Sequence, residues 1–213
     1  MAHLTPDELA AGLDHVRSSP TDDGTLELIV ARPDLGRREV LGSGTLDLAV
    51  GLVGDNWLER GSRHTDDGSA IPNMQLNVIN ARLAALVAGP DGDADRRALA
   101  GDQLHLDLDL STANLPAGTR LAIGDAVIEV TPDPHTGCAK FTQRFGLDAM
   151  RFVNSPSGKE LRLRGLCARV VQPGTIRVGD TVAVDRPPDA QSSGQYSSVR
   201  KSAGSMSGEG SVT

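Results

Sequence analysis

The sequence of 213 residues is poor in aromatic residues, which make up 2% of it, and its only cysteines are Cys138 and Cys167. So few aromatic side chains leave little for nucleic-acid bases to stack on, and a formal net charge of −7 provides no basic footprint. Two cysteines are also too few for a secreted fold held together by disulfides. We therefore expect no nucleic-acid partner, although a small anion could still bind where the local charge opposes the total.

Long apolar runs are missing as well. No stretch approaches the roughly 20 residues of a membrane span, and the first residues lack the basic and apolar regions of a signal peptide. We therefore expect a cytoplasmic protein with reduced thiols and no membrane partner.

The dinucleotide and phosphate loops, the H-E-x-x-H zinc motif and the C-x-x-C and G-x-S-x-G motifs are absent too. Their absence argues against the most common nucleotide-binding, zinc and serine-hydrolase functions.

Short alternating segments separated by Gly-Asp turns predict a mainly β fold, a β-barrel with a few peripheral α-helices. Residues 1–24 are predicted to form an N-terminal helix and its connection, and residues 25–184 the barrel domain. Residues 185–213 are rich in serine and glycine and are predicted to be a disordered tail. A capping box of Thr5 and Glu8 marks the start of the first helix.

Four further segments have patterns that predict their structure. Apolar residues recur at helical spacing in residues 75–87 and 140–154, so each is predicted to be one helix. Residues 104–110 alternate between apolar and polar side chains, which predicts a strand with one dry and one wet face. Residues 161–171 alternate in the same way and are predicted to be one strand.

The segment that carries most of the functional information surrounds Cys138. Two prolines and Gly137 stiffen and open the backbone before the cysteine, which places its sulfur in a loop after a strand. His135, Lys140 and Arg144 lie close in sequence, and positive neighbours favour the thiolate. The alternative is that Cys138 is an inert small hydrophobic residue.

The charge of the chain inverts around this cysteine. Between residues 135 and 177, eight basic residues stand against two acidic ones, for a net charge of +6. Arg162, Arg164 and Arg169 are predicted to line one side of a strand here. They form either a solvated sheet face or a pocket in which guanidinium forks hold a phosphate or another anion beside a thiolate. Cys167, inside the same predicted strand, is assigned a structural role.

Several short motifs follow one another along the chain in a recognisable order. They are Gly51-Leu-Val-Gly-Asp55, Gly101-Asp-Gln-Leu104, Gly118 to Asp125, the loop with Cys138, Arg164 to Val170, and Gly174 to Asp180. Over residues 40–184 this series resembles the MOSC domain. That domain is found at the C-terminus of molybdenum cofactor sulfurases and in stand-alone bacterial proteins.

The resemblance implies a β-barrel that binds the molybdenum cofactor, a pterin dithiolene with a phosphate tail. Cys138 would ligate molybdenum through its thiolate or carry sulfur as a persulfide, and a soft thiolate suits such a metal. Basic residues would hold the anionic cofactor, namely His135, Lys140, Arg144, Arg164 and Arg169. Family members often have proline before the cysteine, where this chain has Gly137.

The leading functional hypothesis is a molybdenum-dependent oxidoreductase that reduces small N-oxygenated substrates, or else a sulfur carrier. In both cases we expect a separate electron or sulfur donor protein. The alternative is a non-catalytic β-barrel that binds a small anion, with Cys138 as a passive wall residue. A domain that has lost cofactor binding is the third interpretation. The sequence does not specify the substrate, the donor protein or the oligomeric state.

Overall fold

The computed structural model describes residues 3–188 of the chain. The strands in this part are β1 (Gly24–Ala31), β2 (Glu39–Leu41), β3 (Ser43–Asp47), β4 (Gly51–Leu52), β5 (Leu76–Asn80), β6 (Leu104–Asp107), β7 (Arg120–Ile123), β8 (Ala126–Val130), β9 (Leu166–Gln172), β10 (Gly174–Arg177) and β11 (Thr181–Asp185). The α-helices are α1 (Pro6–Arg17), α2 (Trp57–Arg60), α3 (Ala81–Ala88), α4 (Ala94–Ala98), α5 (Ala139–Phe145), α6 (Leu147–Asn154) and α7 (Pro156–Glu160).

Seven of these strands close into a barrel, which confirms the predicted fold class. The strand order is β1-β6-β5-β9-β8-β7-β11, and β11 pairs with β1 to complete the circle. β5 and β6 run parallel, with Val78 opposite Leu104, whereas the other neighbours in the barrel are antiparallel. β2 extends the wall beside β1, and β10, β3 and β4 form a second, smaller sheet.

The barrel interior is filled by aliphatic side chains, as the shortage of aromatic residues requires. Leu26, Leu104, Leu121 and Ile128 are fully buried there. The phenylalanines Phe141 and Phe145 lie instead in a second apolar cluster outside the wall. In that cluster α1, α3, α5 and α6 pack over the outer face of β5.

The N-terminal helix begins as predicted. The Glu8 amide donates to Thr5 Oγ1, and the Thr5 amide donates to Glu8 Oε2 at 2.8 Å. The barrel strand β11 ends at Asp185, where the predicted tail begins, and Arg186 Nε donates to Asn114 O at 2.9 Å. The remainder of the predicted tail, from residue 189 onward, lies outside the described residues. No helix among residues 3–188 is both long and apolar enough to cross a membrane.

The prediction of one helix over residues 75–87 is wrong. Residues Leu76–Asn80 form β5, and only residues Ala81–Ala88 are helical. β5 lies between β6 and β9 and is buried on both faces, so its apolar residues form an almost continuous run rather than an alternation. The Asn80 side chain accepts the Leu83 amide at 2.9 Å and is the N-cap that separates the strand from the helix.

Residues 140–154 form two helices rather than the single one predicted. Gly146 separates α5 from α6 and has a φ of 93°, a conformation that a side chain would strain. The resulting bend lets Phe141 and Phe145 of α5 and Ala149 of α6 reach the same apolar cluster.

Residues 161–171 also differ from prediction, because β9 begins only at Leu166. Arg162 and Gly165 have φ values of 46° and 107°, and these positive values end the extended conformation on the N-terminal side. A side chain at Gly165 would place its Cβ 2.2 Å from Val78 O, so only glycine fits there. Arg162 and Arg164 therefore precede the strand, and the prediction that they line one side of it with Arg169 is wrong.

The alternating segment 104–110 forms a shorter strand than predicted, and its predicted wet face is largely covered, with Asp107 and Asp109 only half-buried. β6 ends at Asp107, and His105, on the face predicted to be wet, is 1% exposed. Asp107 pairs with Arg82 of α3 at 2.7 Å. The helices outside the wall therefore cover the side of β6 that was assigned to solvent.

Candidate functional site

The site is organised by the turn Leu99–Asp102, which joins α4 to β6. Three consecutive carbonyl groups of this turn each accept a hydrogen bond from an arginine. Arg144 Nη1 donates to Leu99 O, Arg164 Nη2 to Ala100 O at 3.1 Å, and Arg32 Nη1 to Gly101 O at 3.0 Å. Carbonyl groups at the end of a helix lack intrahelical donors and attract cations. This turn therefore gathers arginines from three distant segments, namely the residue that follows β1, helix α5 and the turn that precedes β9.

Asp102 connects the arginines of this turn to the loop that follows β8. Its carboxylate is fully buried and accepts Arg164 Nη1 at 2.9 and 2.7 Å on its two oxygens. Asp102 Oδ1 also lies 2.7 Å from His135 Nε2. Burial alone would raise the pKa of Asp102, but the Arg164 and His135 charges hold this pKa well below its usual range. Asp102 is therefore an ionised anchor for both residues.

A second buried ion pair holds Arg32 directly after β1. Arg32 Nε and Nη2 donate to the two oxygens of Asp55 at 2.7 and 2.8 Å, a bidentate fork in which the Asp55 side chain is fully buried. Asp55 also accepts the Trp57 amide at the start of α2. The charge of Arg32 is thus neutralised, and the fork fixes the end of β1 relative to α2.

The guanidinium groups near this turn that have no carboxylate partner among residues 3–188 include those of Arg38, Arg60 and Arg144, which we call the arginine cluster. A methyl group at Gly101 would lie 3.3 Å from Arg38 Nη2 and 3.6 Å from Arg144 Nη1, so both groups meet over this glycine. Burial and the positive charges of Arg144, Arg32 and Arg60 lower the pKa of Arg38 to about 10. The cluster is thus a site of unbalanced positive charge that would favour an anion.

Cys138 borders the arginine cluster through Arg144. The cysteine is exposed and occupies the N-cap position of α5, and its side chain makes no capping hydrogen bond. Burial lowers the pKa of Arg144, a negative charge on Cys138 raises it, and the charge of Arg164 lowers it. Arg144 therefore lies within electrostatic range of both the cysteine and the Asp102 network.

Asn154, at the end of α6, holds the peptide that precedes Cys138. Its Oδ1 accepts the Gly137 amide at 2.9 Å, and its Nδ2 donates to Gly137 O at 3.3 Å. A Cβ at residue 137 would lie 3.0 Å from Asn154 Nδ2. We call this pair of hydrogen bonds the Asn154 clamp, and it needs the N–H of residue 137. Proline has no N–H to donate, which explains why glycine stands here in place of the proline that the resemblance led us to expect.

Asn154→Ala is expected to lower the free energy of unfolding by about 1–2 kcal/mol, because two hydrogen bonds are lost. Gly137→Pro removes the same amide donor and crowds Asn154, so it should cost at least as much. Urea unfolding of both single variants and of the double variant measures the coupling. Since both changes break one clamp, the double variant should lose less than the sum of the two losses. Additive losses would show that the clamp does not link them.

Of the predicted site residues, His135, Arg144 and Arg164 come together around the turn Leu99–Asp102. Lys140 is exposed on α5 and has no ion pair among the described residues. Arg169 projects from the outer face of β9, where its Nη2 pairs with Glu129 of β8 at 2.7 Å. The structure thus gathers three of these basic residues and gives Arg169 a partner on the outer face.

Sequence reasoning missed Arg32, Arg38, Asp55 and Asp102. Arg32 and Arg38 precede the basic segment by about 100 residues, and only the barrel brings them to the site. The available signals were two motifs that contributed to the resemblance but were not assigned roles, Gly51-Leu-Val-Gly-Asp55 and Gly101-Asp-Gln-Leu104. Asp102 of the second motif is the buried carboxylate that joins Arg164 to His135.

A cleft of about 390 Å³ opens beside this network. The loop 132–136 and the turn that carries Arg162 and Arg164 form its walls, and Lys159 and Thr112 lie at its edge. His135 also lines a smaller cavity of about 180 Å³, together with Arg60 of α2. His135 thus separates two spaces, and the larger could hold a small molecule.

A sequence profile described as the MOSC domain matches residues 69–183, which is more than half of the chain. The chain belongs to the MOSC domain family. Among solved structures, the YuaD protein from Bacillus subtilis shares 15% identity with a TM-score of 0.53, covering 76% of this chain and 94% of that one. YiiM from Geobacillus stearothermophilus shares 15% identity with a TM-score of 0.51, covering 76% of this chain and 75% of that one. At these identities the similarity shows the fold alone. No curated protein matches the sequence significantly.

Proposed function

We propose that this MOSC protein binds the molybdenum cofactor at the arginine cluster beside the turn Leu99–Asp102, with Cys138 as the thiolate ligand of molybdenum. The observation that carries the proposal is an exposed cysteine within electrostatic range of Arg144, a member of a cluster of three arginines without carboxylate partners among the described residues. Positive charge without a counter-ion costs free energy unless an anion joins it. A phosphate is such an anion.

The residues of the site fit this cofactor in two respects. Arg38 Nη2 has no hydrogen-bond partner in the described part of the chain and is not sealed from solvent, so a donor is available for a phosphate oxygen. No group of three or more His, Cys, Asp and Glu side chains that could hold a metal ion occurs within residues 3–188. A metal that arrives within its own dithiolene needs only one further soft ligand, and Cys138 can provide it.

Each part of the site has a separate task in this proposal. The arginine cluster binds and orients the phosphate tail, and Asn154 fixes the peptide before Cys138. Arg164 and Asp102 hold the loop after β8 against the turn that precedes β6. When bound, the cofactor supplies two-electron redox chemistry. The cleft of about 390 Å³ would admit a small N-oxygenated substrate, and a separate protein would donate electrons.

The exposure of Cys138 also favours a second form of the proposal, in which the protein carries sulfur. The Cys138 thiolate would attack the outer sulfur of a donor protein's persulfide. It would keep that sulfur as its own persulfide and release the donor's thiolate. A donor protein needs direct access to the cysteine for this reaction, and its exposed position at the start of α5 provides that access.

Anaerobic reconstitution with the cofactor, followed by metal analysis, tests the proposal. Wild type should retain molybdenum after gel filtration, and Cys138→Ala should retain much less. Arg38→Gln should weaken cofactor binding roughly 10- to 100-fold, since it removes a charge-assisted contact of about 1.5–3 kcal/mol. Arg169→Gln is the matched control, because Arg169 pairs with Glu129 on the outer face, and it should leave binding unchanged.

Equal molybdenum in wild type and Cys138→Ala would contradict the ligand role of the cysteine. If Arg38→Gln nevertheless weakened binding, the result would favour the alternative, a non-catalytic barrel that binds an anion with Cys138 as a wall residue. If wild type retained no molybdenum, cofactor binding itself would be contradicted.

A further inference from the structure

The hydrogen bond between His135 and Asp102 determines which nitrogen of His135 carries the proton. Asp102 Oδ1 lies 2.7 Å from His135 Nε2, and the ionised carboxylate can only accept. Arg164 Nη1 also donates to both oxygens of this carboxylate, which keeps it ionised. Nε2 must therefore carry a proton, and Nδ1 of the neutral ring is left as a bare acceptor.

That second nitrogen is open to the cavities. The His135 side chain is 12% exposed, and Nδ1 has no hydrogen-bond partner among the described residues. Both ring nitrogens of His105 are buried and have no hydrogen-bond partner within residues 3–188, whereas Nδ1 of His135 is not sealed from solvent. Because His135 borders both the cleft of about 390 Å³ and the smaller cavity, its Nδ1 is accessible to solvent and to a small ligand.

The charges around His135 make the protonated ring a ready proton donor. Burial and the positive charge of Arg164 lower the pKa of His135, Asp102 opposes them, and Arg32 adds a smaller lowering effect. The other titratable or charged residues that line the two cavities are Asp133, Lys159, Arg162, Arg60 and His64. Positive charges predominate, so the ring is neutral near pH 7 and an acquired proton is passed on easily.

We propose that His135 is a proton-transfer residue that carries protons between solvent and a small N-oxygenated ligand in the cleft, and that Asp102 is the positioning residue that leaves Nδ1 free for this transfer. The proposal rests on the proposed function for its reaction. Reductive removal of oxygen from an N-hydroxyl compound takes up two electrons, supplied by the donor protein, and two protons, and it yields the amine and water. His135 delivers one of these protons from Nδ1 and recovers it from solvent.

The cofactor-free protein tests the geometry. Two-bond proton–nitrogen correlation spectra of the five histidines, assigned by comparison with His135→Gln, report the tautomer directly. At pH 7.5 His135 should be neutral with its proton on Nε2, and on acidification Nδ1 should titrate with a midpoint below pH 6.5. A proton on Nδ1, or a charged ring at pH 7.5, would overturn the proposal.

A second measurement covers the case in which His135→Gln does not fold. Diethyl pyrocarbonate near neutral pH modifies accessible, unprotonated imidazole nitrogens, and mass spectrometry locates them. His135 should react while buried His105 stays unmodified. Protection of His135 would contradict an open Nδ1.

The loaded protein tests the role itself. His135→Gln should keep the molybdenum content of wild type and reduce a small N-hydroxylated amine at pH 6 at a rate lower by roughly 10²–10⁴-fold. The rise of the wild-type rate with falling pH should also disappear. A variant with the wild-type rate and pH profile would overturn the proposal. So would loss of molybdenum from this variant alone, because His135 would then hold the cofactor. If wild type itself bound no molybdenum, the proposed function would fail while the tautomer result stood separately.

Discussion

Asp102→Asn is expected to lower the free energy of unfolding by about 3–5 kcal/mol, because it leaves the buried guanidinium of Arg164 without a counter-charge. The Asp102 side chain is fully buried and that of Arg164 is 7% exposed, so water cannot replace the lost partner. The amide has one oxygen where the carboxylate has two, so the three contacts that Arg164 and His135 make with Asp102 cannot all be kept. Equilibrium urea unfolding at pH 7.5 measures the change.

The same substitution at an exposed ion pair is the control. Asp14 pairs with Arg17 on the surface of α1, and its side chain is 93% exposed. Asp14→Asn should therefore cost less than about 1 kcal/mol. Adding Arg164→Gln to Asp102→Asn should restore part of the lost stability, since the unpaired charge is then removed. Equal effects at Asp102 and Asp14 would show that burial of the pair contributes nothing.

Local signals in the sequence were sufficient for much of the barrel. The turn at Gly124-Asp125 separates β7 from β8 as predicted, because alternating strands and a tight turn are specified by adjacent residues. The capping box of α1 is local in the same sense. Where neighbouring residues alone decide the conformation, prediction from one sequence succeeded.

Two of the four failures share one physical cause, namely burial of two faces of an element. Leu76, Val78 and Ile79 have spacings that suit a helix as well as a strand buried on both sides. Only the pairing of β5 with β6 and β9 decides between them, and that pairing is a tertiary property. His105 was predicted to face solvent because alternation in the sequence does not reveal that helices pack over β6.

Prediction of the site from sequence was limited even more strongly by contacts between distant segments. His135, Arg144 and Arg164 could be proposed because they lie within 30 residues of Cys138 in sequence. Arg38, whose Nη2 lies beside Arg144 Nη1 over Gly101, could not be proposed in this way. The net charge of a segment is a sum over neighbours in sequence. Anion binding depends instead on which guanidinium groups come together in the fold and which of them already have a carboxylate partner.

The buried His105 should make the protein less stable in mild acid. Its ring is 1% exposed and neither nitrogen has a hydrogen-bond partner in the described part of the chain. Burial lowers the pKa of His105 to about 4, against an ordinary value near 6.5. Below pH 6.5 the unfolded chain takes up a proton that the folded chain refuses. The contribution of His105 to stability is therefore complete above pH 6.5 and falls by about 3 kcal/mol as the pH drops to 4.

Urea unfolding of wild type and His105→Leu at pH 7.5, 6, 5 and 4 measures this contribution. Leucine fills a similar volume and leaves no hydrogen bond unmade, so the variant should match wild type at pH 7.5 and lose less stability in acid. His135, whose pKa is also lowered, adds a separate loss in the same range, so the acid effect should shrink rather than vanish. His15→Leu, at an exposed position of α1, is the control and should retain the full wild-type pH dependence. An unchanged acid loss in His105→Leu would mean that the buried ring is protonated in the folded state.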